Sequence, residues 1–476
     1  MNKVIKGLLI TALTLSAQNV AAHTNKTFLQ PRNQALVNLP LIDTTWSERK
    51  CAKLEDRFGG NFQITGFYGQ STDNNNTGKY FGVNNLNEFA IGTEGAKATA
   101  SAFATVDGNY LIHDYNQTAA KTNVSTVKLS PRVTHYGVNL AYFQDLSKIV
   151  NGLYMQVVLP INHVENDVRF GLTKGGDAGT NLTHDKLVQF FAGTYTEATN
   201  TDAQAALKFA KIRTGKDSAT GVADIDVLLG YKLLKKEKYH LGLNIAISIP
   251  TGNEPSGEYL FDAVYGSKHF GLGGGLHAGA RVWGDEDHNF KLALNANYRY
   301  MFESSEKRTA SIKGRKWSQY YGVTQGKAVD ETVQPLANLT TVNFDVEPGS
   351  QVDGVINLAY NKGGFNFGLG YNLYYREAES VSMKSGQFAE DTYGISARNN
   401  DMHTARVLEG VALKVSDLEM PATPSQFTHS VFGGVGYAFK NWEYPLMLGL
   451  GGKYEFADKN SALEGWQGWI KAGISF

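Results

Sequence analysis

A strict alternation of aliphatic residues with small or polar ones, in "YHLGLNIAISIPTGN" at 239–253, constrains the fold of this chain most. Aliphatic side chains occupy every second position from Leu241 to Ile249, and the run stops at Pro250-Thr251-Gly252. Because successive side chains of a β-strand point to opposite faces, the pattern predicts a strand with one wholly aliphatic face. The fold then depends on what covers that face.

The same alternation recurs about twelve times along the chain. The segments begin near residues 59, 132, 152, 223, 239, 270, 290, 352, 364, 428, 445 and 465. Very short polar turns such as "GDEDHN" and "NKGG" join some consecutive segments. Long connections separate the others, at 71–131, 163–221, 303–350 and 378–426, with moderate ones at 253–268 and 457–464. So many strands with the same two faces predict one continuous sheet.

This sheet is predicted to be an all-β, up-and-down antiparallel barrel of about twelve strands, twelve to fourteen, that crosses a bacterial outer membrane. Such barrels have tight periplasmic turns and long extracellular loops. Lipid would cover the aliphatic face, and closure would pair every backbone group. A secreted β-sandwich or β-helix is the alternative, but the dense Gly, Asn and Ala on the second face favour a narrow lumen.

The N-terminus predicts export. Lys3 and Lys6 precede an apolar stretch that is too short for a membrane-spanning helix, and small residues follow it, so residues 1–22 are interpreted as a signal peptide. Residues 23–57 are interpreted as a periplasmic tail or a plug inside the barrel, and residues 58–476 as the barrel. Cys51 is the only cysteine, which excludes an internal disulfide. Lys plus Arg and Asp plus Glu both number 45, which argues against nucleic-acid binding.

One hairpin, "GVADIDVLLGYKLLKKEKYHLGLNIAISIPTGN", resembles the outer-membrane transporters linked to phenol meta-pathway degradation, which are distantly akin to long-chain fatty-acid transporter barrels. The matching positions are Gly221, Asp224, Tyr231 and the sequence Pro250-Thr251-Gly252, whereas Ala223 stands where that family usually has Gly. The resemblance implies uptake of small, often hydrophobic molecules.

Charged residues on the polar parity are the candidate lumen residues. They are Asp224, Asp226, Lys232, His277, Arg281, Lys291, Arg299, Asp353, Arg376, Lys453, Glu455 and Lys471. Basic residues outnumber acidic ones in this set, which predicts a mild anion preference. Phe476 lies on the apolar parity of the last strand and is interpreted as the terminal aromatic signal for the barrel-assembly machinery.

Catalysis is the function class with the least support. His135, His277 and His429 are predicted to point inward, but no Ser or Asp accompanies them at a recognisable spacing. The sequence predicts no metal site and no cofactor. The expected partners are outer-membrane lipid, the assembly machinery and small-molecule solutes, and the oligomeric state stays open.

The long connections leave two functions open. A channel that passes small hydrophobic or aromatic solutes is preferred, and a structural or adhesive barrel that acts through its loops is the alternative. Two helices are predicted in the connection after the third strand, at "THDKLVQFFAG" and "TDAQAALKFAKI", each beginning at a capping threonine, Thr183 and Thr201. They are interpreted as parts of a lid over the mouth, in preference to a partner-binding helix.

Overall fold

The computed structural model describes residues 26–33, 59–92, 105–112, 123–175, 183–199, 202–236, 238–325, 332–397, 407–408, 412–459 and 461–476. The predicted signal peptide and residues 34–58, which include Cys51, lie outside this part of the chain. Within the described ranges, none of the helices has the length and hydropathy that crossing a membrane requires.

A closed antiparallel barrel of twelve strands confirms the predicted fold class. Its strands are β1 (Gly60–Ser71), β2 (Arg132–Asp145), β3 (Leu153–Asp167), β4 (Lys216–Val222 and Ile225–Lys235), β5 (Tyr239–Ile249), β6 (Gly271–Gly284), β7 (His288–Met301), β8 (Gly349–Lys362), β9 (Phe365–Arg376), β10 (Gln426–Phe439), β11 (Leu446–Ala457) and β12 (Gly465–Ser475). Each strand pairs with its neighbours along the chain. The barrel closes where β1 pairs with β12, at Phe62 opposite Ile474, and with β2, at Phe62 opposite Tyr142.

Strand β4 is broken in the middle. Its first piece, Lys216–Val222, pairs with β3. Its second piece, which begins at Ile225, pairs with both β3 and β5. The break falls at Ala223 and Asp224, in the hairpin that carries the family resemblance. The sequence pattern predicts that this strand begins at 223, so it misses the first piece of β4.

The aliphatic parity faces outward along the wall. Ile245 is 59% exposed, Leu369 is 64% exposed and Ile470 is 69% exposed, although each lies within a paired strand. Lipid supplies the burial that a second sheet would give a soluble protein, at roughly 25 cal/mol per Å² of apolar surface. Trp283 and Trp466 are exposed near strand ends, where membrane barrels carry their interfacial aromatic residues. This face is the one that a membrane-spanning β-barrel presents to lipid.

The long connections fold into one cap above the extracellular rim, which is the rim without the short turns. Its helices are α1 (Asn74–Phe81), α2 (His184–Ala192) and α3 (Ala337–Thr340), with 3₁₀ turns at Gly108–Tyr110, Ser318–Tyr320 and Val415–Asp417. Its strands are Glu88–Gly92, Thr105–Asp107, Asn123–Lys128, Gly171–Lys174, Glu197–Thr199, Asp202–Gln204, Ser304–Thr309, Ser311–Ile312, Gly322–Gln325, Gln334–Pro335, Thr341–Glu347, Ser380–Met383, Tyr393–Ala397, Val407–Leu408 and Leu418–Glu419.

An aromatic core holds the cap together. Trp317 is fully buried, and its ring contacts those of Phe89, Phe191 and Tyr320. The same core includes Leu29 from the N-terminal segment. Connections that are far apart in the sequence therefore form a single packed body.

Only one of the two predicted helices forms. Helix α2 begins after Thr183, whose side chain accepts a hydrogen bond from the Lys186 amide, so this prediction is confirmed. The prediction of a helix at 201–212 is wrong: the described part is the strand Asp202–Gln204 followed by irregular chain. Its backbone bonds to distant segments instead, because the amide of Ala205 donates to Val333 and that of Lys211 donates to Glu258.

Candidate functional site in the barrel lumen

Many of the predicted lumen charges are paired with one another or with nearby wall residues. Arg299 forms an ion pair with Asp226, and the ammonium of Lys453 lies 2.8 Å from Glu455. Lys232 lies 3.5 Å from Asp145, an acidic residue that the sequence reading did not select. Charges inside a narrow lumen are costly unless they are matched, and these pairs supply the match.

Asp224 has a different role from the one expected. It is fully buried at the break in β4, and its two carboxylate oxygens accept hydrogen bonds from the backbone amides of Gly252, Ser267 and Lys268 and from the Ser267 hydroxyl. The carboxylate therefore joins the end of β5 to the start of β6. Its charge serves the connection between these strands rather than the open lumen.

Steric crowding explains the glycine of the Pro250-Thr251-Gly252 sequence. A Cβ on Gly252 would lie 2.7 Å from the Cα of Gly266, so the two segments approach too closely for a side chain at this position. Thr251 completes the contact by donating its hydroxyl to the carbonyl of Ala223 at 2.6 Å. The Pro-Thr-Gly sequence is thus a structural joint at the strand break.

Several of the remaining candidates lie near the periplasmic rim. Lys232, Arg281, Lys291 and Lys471 are all within four residues of strand ends at this rim, and Lys471 is buried. His277 lies further inside, where its Nδ1 is 3.0 Å from the Tyr154 hydroxyl. The basic excess predicted from the sequence is therefore concentrated in the periplasmic half of the barrel.

The extracellular half of the lumen contains part of the N-terminal segment, residues 26–33. Arg32 is 6% exposed and contacts four consecutive strands, β8 to β11. Its guanidinium donates to Glu455 at 2.9 Å, to Thr428 at 3.1 Å and to Asn372 at 2.8 Å. Asp353 lies 3.5 Å away, and the ring of Tyr374 lies 4.1 Å from the guanidinium carbon. Arg32 is thus the central cation of the lumen network.

The residues before Arg32 attach the segment to the cap. The amide of Gln30 donates to the Thr423 hydroxyl at 3.0 Å, and its carbonyl accepts from Gln426 at 2.9 Å. The carbonyl of Phe28 accepts a hydrogen bond from the Tyr80 hydroxyl at 2.6 Å. The segment therefore links the cap to the lumen wall.

A buried ionic cluster lies beneath this attachment. Arg308 is 1% exposed, donates to Glu306 at 2.8 Å and to Glu379 at 2.6 Å, and lies 3.8 Å above the ring of Phe28. Burial alone would raise the pKa of Glu379, but the guanidiniums of Arg308 and Arg376 outweigh it and hold that pKa at about 2. Arg376, a predicted lumen residue, thus belongs to this cluster.

A cavity of about 50 Å³ separates the N-terminal segment from the wall. Gln30 to Asn33 form one side, and His135 on β2 and Asn162 on β3 lie on another. A cavity of about 150 Å³ is known to bind benzene, so this one is too small for an aromatic ring. The docked segment therefore leaves no room for an aromatic ring in this cavity.

The three histidines named from the sequence do not share one face of the wall. His135 and His277 face inward as predicted, but the prediction for His429 is wrong: its Nδ1 contacts the hydroxyl of the outward-facing Tyr371 and its Nε2 lies 3.6 Å from Asp458. His429 points outward because its neighbours Thr428 and Ser430 take the inward positions, and successive side chains of a strand alternate between the two faces. Among the described residues, no group of His, Cys, Asp and Glu could hold a metal ion.

Phe476 lies at the closure of the barrel. Its backbone exchanges hydrogen bonds with Gly60, and its ring stacks on that of Tyr142 at 6.4 Å between centroids. A Cβ on Gly60 would lie 2.5 Å from the Phe476 ring, so the glycine makes room for it. The last residue thus packs across the seam between the first and last strands.

Sequence reasoning missed Arg32, Asp145 and Glu379. Arg32 lies in a segment without strand periodicity, so no pattern assigned it to the lumen. Asp145 and Glu379 lie at or beyond strand ends, where alternation stops. The sequence of residues 23–57 left a plug and a loosely attached tail equally open.

Comparison with known proteins gives likenesses in structure only. No family model matches the chain, and no curated protein matches it in sequence. An outer-membrane channel of Pseudomonas putida F1 is similar at 10% identity, with 88% of this chain and 96% of that chain covered and a TM-score of 0.41. The toluene transporter TodX of Pseudomonas putida is similar at 9% identity, with 95% of both chains covered and a TM-score of 0.34. A FadL homologue of Pseudomonas aeruginosa is similar at 8% identity, covering 88% and 89%, with a TM-score of 0.27.

Proposed function

We propose that this protein is an outer-membrane channel that passes small molecules, and that its N-terminal segment closes the lumen. The observation that carries the proposal is the position of Arg32, which is hydrogen-bonded inside the barrel to β9, β10 and β11. A segment held there occupies the space that a solute would cross.

The type of contact favours a removable closure. The segment meets the wall of the lumen through polar bonds, and water can replace such bonds at a net cost of only about 0.5–1.5 kcal/mol each for neutral pairs, more for charged ones. Leu29 of the same segment is buried in the core of the cap. Polar attachment at the wall therefore suits a closure in which the lumen end of the segment, at Arg32, alternates between docked and released states while Leu29 stays in the cap.

The solutes are proposed to be small and uncharged or weakly anionic. The hairpin resemblance implies small hydrophobic or aromatic molecules, and the basic residues Arg281, Lys291 and Lys471 near the periplasmic rim support a mild anion preference for any ions that pass. A reversal potential across a planar bilayer that indicates cation selectivity would contradict that preference.

Phe476 is proposed to be the recognition signal for barrel assembly. Its packing against Gly60 and Tyr142 supports this role, because a residue at the closing seam is available to guide pairing of β12 with β1. Replacing Phe476 with Ala should lower the amount of assembled barrel in the outer membrane, whereas an undiminished amount would contradict the assignment.

A reversible lock tests the closure. In a Cys51→Ser background, Gln30→Cys and Thr423→Cys place one thiol on each of two segments that contact each other, since the Gln30 backbone amide lies 3.0 Å from the Thr423 hydroxyl. Proteoliposomes carrying this variant should swell in a small neutral sugar when the thiols are reduced and should be sealed when they are oxidised. Gln30→Cys alone is the matched control and should not respond to oxidant.

The same assay separates the channel from the adhesive alternative. Vesicles that stay sealed under both conditions, and also with Arg32→Ala, would reject the channel. The cap would then be the functional part of the molecule, as in a structural or adhesive barrel.

A further inference from the structure

Two buried polar side chains of the lumen wall have unpaired atoms beside the same cavity. His135 is 7% exposed and its Nε2 has no hydrogen-bond partner, and Asn162 is 3% exposed and its Oδ1 has none. Both residues line the cavity next to Gln30–Asn33. Buried polar atoms are nearly always hydrogen-bonded, so two unpaired ones at one cavity indicate a place where a polar group binds.

The positions of these side chains are built into the wall. In the pairing of β2 with β3, His135 lies opposite Val164 and Asn162 lies opposite Gly137, so the two are diagonal neighbours on the inner face. Such neighbours are about 7–8 Å apart, close enough for one small group to contact both side chains. A Cβ on Gly69 would lie 2.4 Å from His135 Nε2, so that glycine leaves room for the imidazole.

The charges around the cavity select against an ionic ligand. Arg32 and Lys453 both pair with Glu455, at 2.9 Å and 2.8 Å, so a carboxylate already matches the cations beside the cavity. The aliphatic side chains of Val133 and Val164 also line the cavity. An uncharged molecule with an apolar body matches this environment.

The unpaired atoms specify the polar group. The Asn162 oxygen can only accept a hydrogen bond, whereas a neutral imidazole offers one donor and one acceptor. A hydroxyl donates one bond and accepts others, so a single hydroxyl satisfies both residues, while a carbonyl would leave the Asn162 oxygen unpaired. We infer that this cavity is a binding site for a small uncharged molecule that carries a hydroxyl on an apolar body.

The site rests on the proposed function, because it names the class of solute that the channel recognises, and it couples recognition to opening. The cavity of about 50 Å³ is smaller than a ring needs, and Gln30–Asn33 of the N-terminal segment, the proposed closure, form one side of it. A ring-sized alcohol therefore takes space that Gln30–Asn33 occupy when docked. Its binding shifts the segment toward release, to the extent that the alcohol binds the released state more tightly.

Benzyl alcohol and toluene are the probes that test this inference, because they share a ring and a carbon substituent and differ in the hydroxyl. The full-length protein in nanodiscs is dialysed against each labelled solute, and binding to empty nanodiscs is subtracted. Benzyl alcohol should bind at least about tenfold more tightly than toluene, the effect of a buried hydrogen-bonded hydroxyl. Asn162→Leu should reduce this ratio to about two or less.

Ser430→Ala is the matched control. Ser430 is also inward-facing and fully buried with an unpaired oxygen, but it does not line the cavity, so its loss should keep the preference. Equal binding of the two solutes by the unsubstituted protein would overturn the inference, and this comparison needs no variant to fold. A preference that survives Asn162→Leu would also overturn it. If Arg32→Ala conducts but the protein does not prefer benzyl alcohol to toluene, the binding site is rejected and the channel is not. If the protein prefers benzyl alcohol but Arg32→Ala does not conduct, the channel is rejected and the binding site is not.

Discussion

Replacing Arg32 with Ala is predicted to open the lumen. Arg32 makes hydrogen bonds to Glu455, Thr428 and Asn372 at 2.8–3.1 Å, and all of them are lost in the variant. Removing one partner of a buried ion pair costs about 3–5 kcal/mol, largely because it strands the other charge. Glu455 is not stranded here, because Lys453 at 2.8 Å and the Thr428 hydroxyl at 2.7 Å still contact it.

The expected destabilisation of the docked segment is therefore at the low end, about 3 kcal/mol. At about 1.4 kcal/mol for each factor of ten, this raises the ratio of released to docked segment roughly a hundredfold. Single-channel recording in planar bilayers measures this as a rise in open probability. Arg32→Lys keeps the charge but loses the planar fork of donors, so it should give an intermediate value.

Arg213→Ala is the matched control for this measurement. Arg213 is an arginine of the cap whose side chain is 48% exposed and lies 3.6 Å from Asp217, and exposed pairs contribute little. Its open probability should stay within about twofold of the unsubstituted protein. An Arg32→Ala channel that opens no more often than Arg213→Ala would refute the view that the N-terminal segment closes the lumen.

Three further predictions concern the cap and the strand break. The pKa of Glu379 falls from its ordinary 4.5 to about 2 on folding, so its ion pair with Arg308 stabilises the cap above pH 4.5. This contribution is lost as the pH falls toward 2, and the fluorescence emission of Trp317 should report the loss. Glu379→Gln should remove this part of the pH dependence. Trp317→Ala should lower the free energy of unfolding by about 3–5 kcal/mol in urea titrations, since it empties the aromatic core. Asp224→Ala should speed tryptic cleavage after Lys268 at least about tenfold by removing the acceptor of that backbone, and unchanged cleavage would contradict the role of the clamp.

Much of the candidate site could be assigned from the sequence, but its pairing could not. Alternation placed Asp226, Arg299 and Lys453 on one face, and the structure puts them there. It gave no means of knowing that Arg32 would approach Glu455, a residue 423 positions away. Nor could it show that Asp224, which carries the family resemblance, bonds to the loop above the wall.

The wall and the contents of the barrel were thus determined at different levels. The sequence alone determined the wall, since the two faces of a strand depend only on a period of two residues and the lipid imposes that period on every strand, as at Ile245 and Leu369. Tertiary structure decided how the lumen is closed and which charges are matched. Those contacts join segments without periodicity, such as Arg32, to strands far along the chain, and their energies depend on a buried environment that exists only after the barrel has closed.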